Sequence, residues 1–190
     1  MKRAYKKILL ITVILLFHLQ AIAAETYTLD PTHTYAAWQV SHFGFSTISG
    51  KFMAKGKILF NPDHPQYSKV YVTLITTHPN TGIQQLDDTL RSSSFLDVRR
   101  YPSANFVSTK VVMTGKQTAK VFGILTLRGV SRPVMLNVKL TRYAIHPFFR
   151  KKALGIAAST VVRRSHFGLG KYAPGVGDEV HIDIQAEALR

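Results

Sequence analysis

The sequence predicts an all-β fold of about eight antiparallel strands, and three observations carry that prediction. Apolar residues recur at every second position in several stretches. Gly, Pro and Asn turn signals separate those stretches at short intervals, as in a meander. Only one segment carries the spacing of an amphipathic helix. Strands of similar length joined mostly by hairpins leave two architectures, a sandwich or a closed barrel.

In chain order, the first segment is an address. Lys2, Arg3, Lys6 and Lys7 precede an apolar run at 8–17 broken only by Thr12, and Ala21-Ile22-Ala23 has the small-x-small form of a signal-peptidase site. The run is too short for a hydrocarbon core that needs about 20 residues. Residues 1–23 therefore read as a cleaved Sec-type signal peptide and 24–190 as one exported domain. No second run of about 18 apolar residues follows, so the mature domain is expected to be soluble.

The strands follow. Residues 34–43 place Ala36, Trp38, Val40 and His42 on one side. Residues 50–60 form the next stretch, and then Val70, Val72 and Leu74 alternate with Tyr71, Thr73 and Ile75. Ile83, Leu86 and Leu90 break the rhythm at i, i+3 and i+7 after a start at Asn80 to Gly82, which predicts a short helix on the sheet or across a barrel end. Pro102 returns the chain to extended structure. Strands at 104–113 and 118–127 come next, the second with Val121, Gly123, Leu125 and Leu127 on one face and Phe122 and Ile124 on the other. Gly123 inside that run marks a bend or a close approach to the backbone. The last three are 134–141, 153–165 and 180–187.

Composition narrows the function classes. The 190 residues are 46% hydrophobic, which suits one folded domain, and contain no cysteine, which excludes disulfides, thiolate metal sites and a cysteine nucleophile. Lys plus Arg total 25 against 10 acids, a formal net charge of +15, so an anionic partner is expected. There is no G-x-S-x-G elbow, H-E-x-x-H helix or phosphate-binding G-x-x-x-x-G-K-[ST] loop. The loose glycine string Gly168-Leu-Gly170-Lys-Tyr-Ala173 runs into Pro174-Gly175, where a helix would have to open. Histidines are scattered, with His181-x-Asp183 the one paired spacing, so no metal site and no catalytic residue are predicted. Basic residues spread along the chain at Arg99-Arg100, Arg150-Lys151-Lys152 and Arg163-Arg164. With an export signal, that pattern fits transient contact with an anionic membrane surface better than nucleic acid.

An ordered set of short pieces spans the mature chain: Tyr27-Thr-Leu29-Asp30 with His33, Trp38-Gln-Val40-Ser-His42-Phe-Gly44, Gly50-Lys-Phe52, Leu90-Arg91-Ser92 with Phe95-Leu96-Asp97, Tyr101-Pro102 to Phe106, Val121 to Val130 with Pro133-Val134, and Arg164-Ser165-His166-Phe167-Gly168. In that order the chain resembles the YceI-like family. The resemblance implies an exported, periplasmic, lipocalin-like eight-stranded barrel that holds an isoprenoid lipid or quinone-type tail, with no cofactor. Two departures concern polar positions. Relatives often carry an Arg-Asp-x-His-Leu string where this chain has Leu86-Asp87-Asp88-Thr89-Leu90, and an Asp where it has His166.

A prenyl chain is all apolar surface, and at about 0.8 kcal/mol per buried CH₂ several isoprene units outweigh an association cost of roughly 4–15 kcal/mol. The expected ligand-contacting residues are Trp38, Val40, Val72, Leu74, Leu125 and Leu127 from the inward sets, with Phe52, Leu90, Phe95 and Phe106 from the matching pieces. His42 and Arg91 are expected at the mouth, facing the head group; His33, beside Pro31, is expected to cap a turn. Transport or storage is the expected function. The alternatives are a lipid-acting hydrolase or isomerase and a filled barrel that binds a protein, and the sequence leaves a homodimer open.

Overall fold

The computed structural model describes residues 24–190, so the leader read at 1–23 lies outside the described residues. Period-two alternation becomes nine strand segments: β1 (Glu25–Leu29), β2 (Tyr35–His42), β3 (Ser46–Phe60), β4 (Lys69–Ile75), β5 (Ser103–Met113), β6 (Thr118–Leu127), β7 (Val130–Ile145), β8 (Lys152–Arg163) and β9 (Glu179–Leu189). One helix, α1 (Gln84–Arg91), lies between β4 and β5. All pairings are antiparallel, and β4 returns to β3, which closes the sheet into a barrel.

Nine segments make eight staves. β1 and β2 run end to end between the same two neighbours: Tyr27 pairs with Ile58 and Leu29 with Ala188, while Ala36 pairs with Phe52 and Ile184. The sequence-predicted strand at 34–43 is thus half a stave, and the eight predicted strands did not include Glu25–Leu29. Five residues separate the two halves, among them Pro31, which has no N–H for a ladder.

That break is tied down by Asp30. One carboxylate oxygen accepts the Thr32 N–H at 2.9 Å and its hydroxyl at 2.7 Å, and the other meets His33 Nδ1 at 2.8 Å. Glu187 on β9 receives the Asp30 N–H at its carbonyl. The His33 hydrogen bond, then Thr32, hold the Asp30 carboxyl down at about 2, and Asp30 in turn raises the His33 pKa. A raised histidine pKa stabilises the fold fully below the unfolded value of about 6.5, and the benefit disappears as pH rises through the raised folded value. His33→Ala is therefore expected to lower the urea midpoint at about pH 5.5 and to match the parent at about pH 9. An equal deficit at both pH values would show that the ion pair contributes nothing.

The two ends of the barrel differ. The helix end carries the β2–β3 turn, α1, the β6–β7 turn and the long segment between β8 and β9. The hairpin end carries a 3-10 turn at Pro65–Tyr67 and the β5–β6 and β7–β8 turns. At the helix end, Leu86 and Leu90 of α1 turn inward and Ile83 remains exposed. The helix starts at Gln84, and Asp87 reaches back to accept the Thr81 N–H at 2.9 Å and hydroxyl at 2.8 Å.

Buried side chains form two groups inside the wall. One joins Tyr27, Leu29, Ile58, Phe60, Leu154 and Ala188 near the hairpin end; the other joins Leu96, Phe106, Val121, Leu125, Phe167 and Leu169 toward the helix end. Gly123 has no Cβ because the Phe106 ring lies on its backbone, and the ladder slips by one residue beside it, between Ser108 and Lys110. Phe122 and Ile124 face outward, as their parity predicts.

Candidate functional site

One rung of paired residues explains what lies inside. Across six neighbouring staves Ala119 pairs with Val138, Val138 with Ala158, Ala158 with Ile184, Ile184 with Ala36 and Ala36 with Phe52. All six line the lumen, and three are alanines. An eight-stave barrel is just wide enough to be filled by side chains, so methyl groups at alternate positions leave space. The result is a cavity of about 490 Å³, within the roughly 300–1,000 Å³ of small-molecule sites.

The wall of this cavity includes Trp38, Val40 and His42 from β2, Phe52 from β3, Val72 and Leu74 from β4, Phe106 from β5, and Leu125 and Leu127 from β6. Leu90 of α1 and Phe95 just beyond it complete the helix end. Arg91 departs from the prediction. It does not line the cavity but pairs with Asp88 one turn earlier, because Leu86 and Leu90 occupy the inward face of α1. His33 also stays outside the lumen, in the turn with Asp30. Asp30, His33 and Glu187 come close enough to resemble a metal cluster, but the Asp30 oxygens are already engaged by Thr32 and His33.

Trp38 stacks on Phe52 with ring centroids 6.4 Å apart, and Gly50, its partner across the ladder, accommodates the indole edge together with Asn80 and Thr81. The Trp38 indole N–H is buried without an acceptor among the described residues. His42 stands edge-on to Phe43 at 4.8 Å, and its side chain makes no hydrogen bond among the described residues.

The helix end is held by two arginines, Arg164 and Arg128. Arg164 is buried, lines the cavity and spends its donors on backbone carbonyls. Nε donates to Gly177 at 2.7 Å, one terminal nitrogen to Leu169 and to Lys171 at 2.9 Å, and the other to Val176 at 2.7 Å. Burial pulls its pKa downward, opposed by the Asp178 carboxylate. Arg128 clasps the same segment from the β6–β7 turn, donating to Gly168 at 3.1 Å and to Ser93 at 2.9 Å. Leu169, Tyr172 and Val176, carried by that segment, form part of the lumen wall.

At the hairpin end, Tyr27 packs edge-on to Phe60 at 6.1 Å and to Tyr143 at 6.5 Å, and its hydroxyl donates to Glu25 at 2.6 Å. Glu25 also receives Lys152 at 2.8 Å and Arg190 at 2.7 Å; the Lys152 hydrogen bond does most to lower its pKa. On the other side of this end, Pro65, Ser68, Met113, Lys116 and Gln117 line the cavity. Arg164 has committed its donors, so Lys116 is the lining cation available to a ligand among the described residues.

Comparison with known proteins agrees with this architecture. The YceI-like domain model matches residues 27–188. A UPF0312 protein of Pseudomonas putida is 35% identical over 175 residues, covering 90% of this chain and 89% of the relative. The crystal structure of the Campylobacter jejuni YceI protein superposes with a TM-score of 0.72 at 25% identity, covering 79% of this chain and 89% of that one. A polyisoprenoid binding domain from Saccharophagus degradans has the same fold, with a TM-score of 0.66 at 16% identity over 86% of this chain and 97% of that one. With the family model extending from β1 to β9 across both ends of the barrel, the chain belongs to the YceI-like family.

Proposed function

We propose that the protein is an exported, periplasmic carrier or store whose barrel encloses the tail of an isoprenoid lipid or quinone. The observation that carries this reading is the cavity itself, about 490 Å³ with walls almost wholly aliphatic and aromatic from end to end. A barrel serving only as a protein-binding surface would fill that space, since protein interiors pack like organic crystals. Membership of a binding-protein family supports binding without turnover, and the polyisoprenoid-binding neighbour supports a prenyl ligand. Two unengaged polar groups favour a quinone-type head toward the helix end: the Trp38 indole N–H and the His42 ring. An anionic head would instead be drawn to Lys116 at the hairpin end. The excess of 25 Lys and Arg over 10 acids supports ligand exchange by transient contact with an anionic bilayer.

Trp38 is the one tryptophan of the chain and stands in the lumen wall, so intrinsic fluorescence reports on occupancy. Titration with a ubiquinone in detergent micelles is expected to quench Trp38 saturably, at one equivalent. Native mass spectrometry of the protein from its host, followed by organic extraction, identifies the head group. An empty protein that neither quenches nor takes up added prenyl lipid sinks the carrier reading.

A further inference from the structure

The β7–β8 turn holds an aromatic pair in the open. Phe148 is 85% exposed and Phe149 53% exposed, and Ile145 at the root of the turn is 57% exposed. Packing does not explain this display, yet the tip is well defined. Both phenylalanine N–H groups donate to His146 Nδ1, at 3.2 and 3.3 Å, and the two rings lie 6.1 and 4.7 Å from the His146 ring. His146 N–H donates to the Lys151 carbonyl at 2.7 Å and Arg150 N–H to the His146 carbonyl at 2.9 Å, so the turn is closed at its base. The rings are thus fixed outward at low entropic cost for a partner that takes them.

Cations accompany the rings. Arg150 and Lys151 follow Phe149 directly, are exposed and make no ion pair among the described residues, whereas Lys152 and Arg190 nearby are satisfied by Glu25. Aromatic rings beside unpaired cations match the interface of an anionic bilayer, where rings sit at headgroup depth and Lys and Arg meet lipid phosphates. The same end of the barrel is where the cavity reaches Pro65, Ser68, Lys116 and Gln117. A tail entering or leaving there would face the surface on which the tip rests.

From this juxtaposition we infer that Phe148-Phe149-Arg150-Lys151 is a membrane anchor that seats the hairpin end of the barrel on an anionic bilayer. The choice of a bilayer as partner rests on the lipid-carrier reading above. The competing apolar surface lies at the opposite end, where Phe43, Phe45, Ile83 and Tyr172 are exposed but Arg91 and Arg100 are already paired with Asp88 and Asp97.

The test is flotation of the purified protein with phosphatidylcholine vesicles, with and without one quarter phosphatidylglycerol, with circular dichroism to confirm the fold of each variant. Phe148→Ser with Phe149→Ser is expected to lower partitioning by about tenfold. Arg150→Gln with Lys151→Gln is expected to lose several-fold on the anionic vesicles only, with the difference vanishing at high salt. Phe45→Ser is expected to partition like the parent. A parent that does not float, tip variants that float like the parent, or a loss confined to Phe45→Ser overturns the anchor. So does a tip variant that converts a dimer to a monomer without changing vesicle binding, because the patch would then join two copies of the chain. Ubiquinone uptake from detergent, read by Trp38 quenching, is measured in parallel. Uptake without flotation sinks the anchor alone, and flotation without uptake sinks the carrier reading alone.

Discussion

Filling the alanine rung is expected to weaken tail uptake by roughly two-hundred-fold. Ala119→Phe combined with Ala158→Phe places two rings in the lumen on staves that flank Val138, at the level where methyl groups keep it open. Exclusion of about four methylenes at about 0.8 kcal/mol each corresponds to roughly a two-hundred-fold weaker affinity. Two phenylalanines forced into a close-packed core would each destabilise by about 1–3 kcal/mol, but here they enter existing space and the thermal midpoint is expected to stay within a few degrees. Quenching of Trp38 by added quinone measures the loss, with circular dichroism as the control for folding. A double variant that remains folded and still binds at parental affinity would mean that the tail does not occupy this section of the barrel.

Arg164→Met is expected to be the most destabilising single change. It keeps much of the side chain's length and removes every donor, leaving the carbonyls of Leu169, Lys171, Val176 and Gly177 without the guanidinium that collects them. Breaking a buried charged arrangement typically costs about 3–5 kcal/mol, which for a domain of this size lowers the midpoint by about 10 °C. Arg164→Lys is expected to recover only a fraction, since one ammonium cannot reproduce a planar fork that reaches four acceptors. Thermal melts with both variants decide this, and hydrogen exchange localises the effect to residues 165–178. A midpoint unchanged in Arg164→Met would show that the segment is held by other contacts. Because Leu169, Tyr172 and Val176 belong to the lumen wall, the same variant is expected to bind lipid more weakly.

The inward side chains were legible in the sequence because a strand offers only two faces. Once Trp38 and Val40 share a side, His42 must follow them, and the structure has all three on the lumen wall. A helix offers no such binary choice. Arg91 is one residue from Leu90 but about 100° around α1, and the Asp88 three residues earlier was the available signal that it would turn sideways. Arg164 was harder to place, since its partners are backbone carbonyls and a carbonyl leaves no mark on residue identity. The split first stave was hidden for a related reason. Pro31 reads locally as the end of a strand, and that the chain rejoins the same two neighbours at Tyr35 depends on β3 and β9, far away in sequence.

That split stave also sets a timetable. The first strands of the domain find their partners in the last: Thr28 with Leu189 and Tyr35 with Gln185. Contacts of such long range are slow to form, because loop closure must precede any gain from pairing. A chain delivered amino end first therefore has no closed barrel until its final strand arrives. Until then, both edges of the growing sheet remain available to other chains, an exposure that ends only when β9 seals the seam.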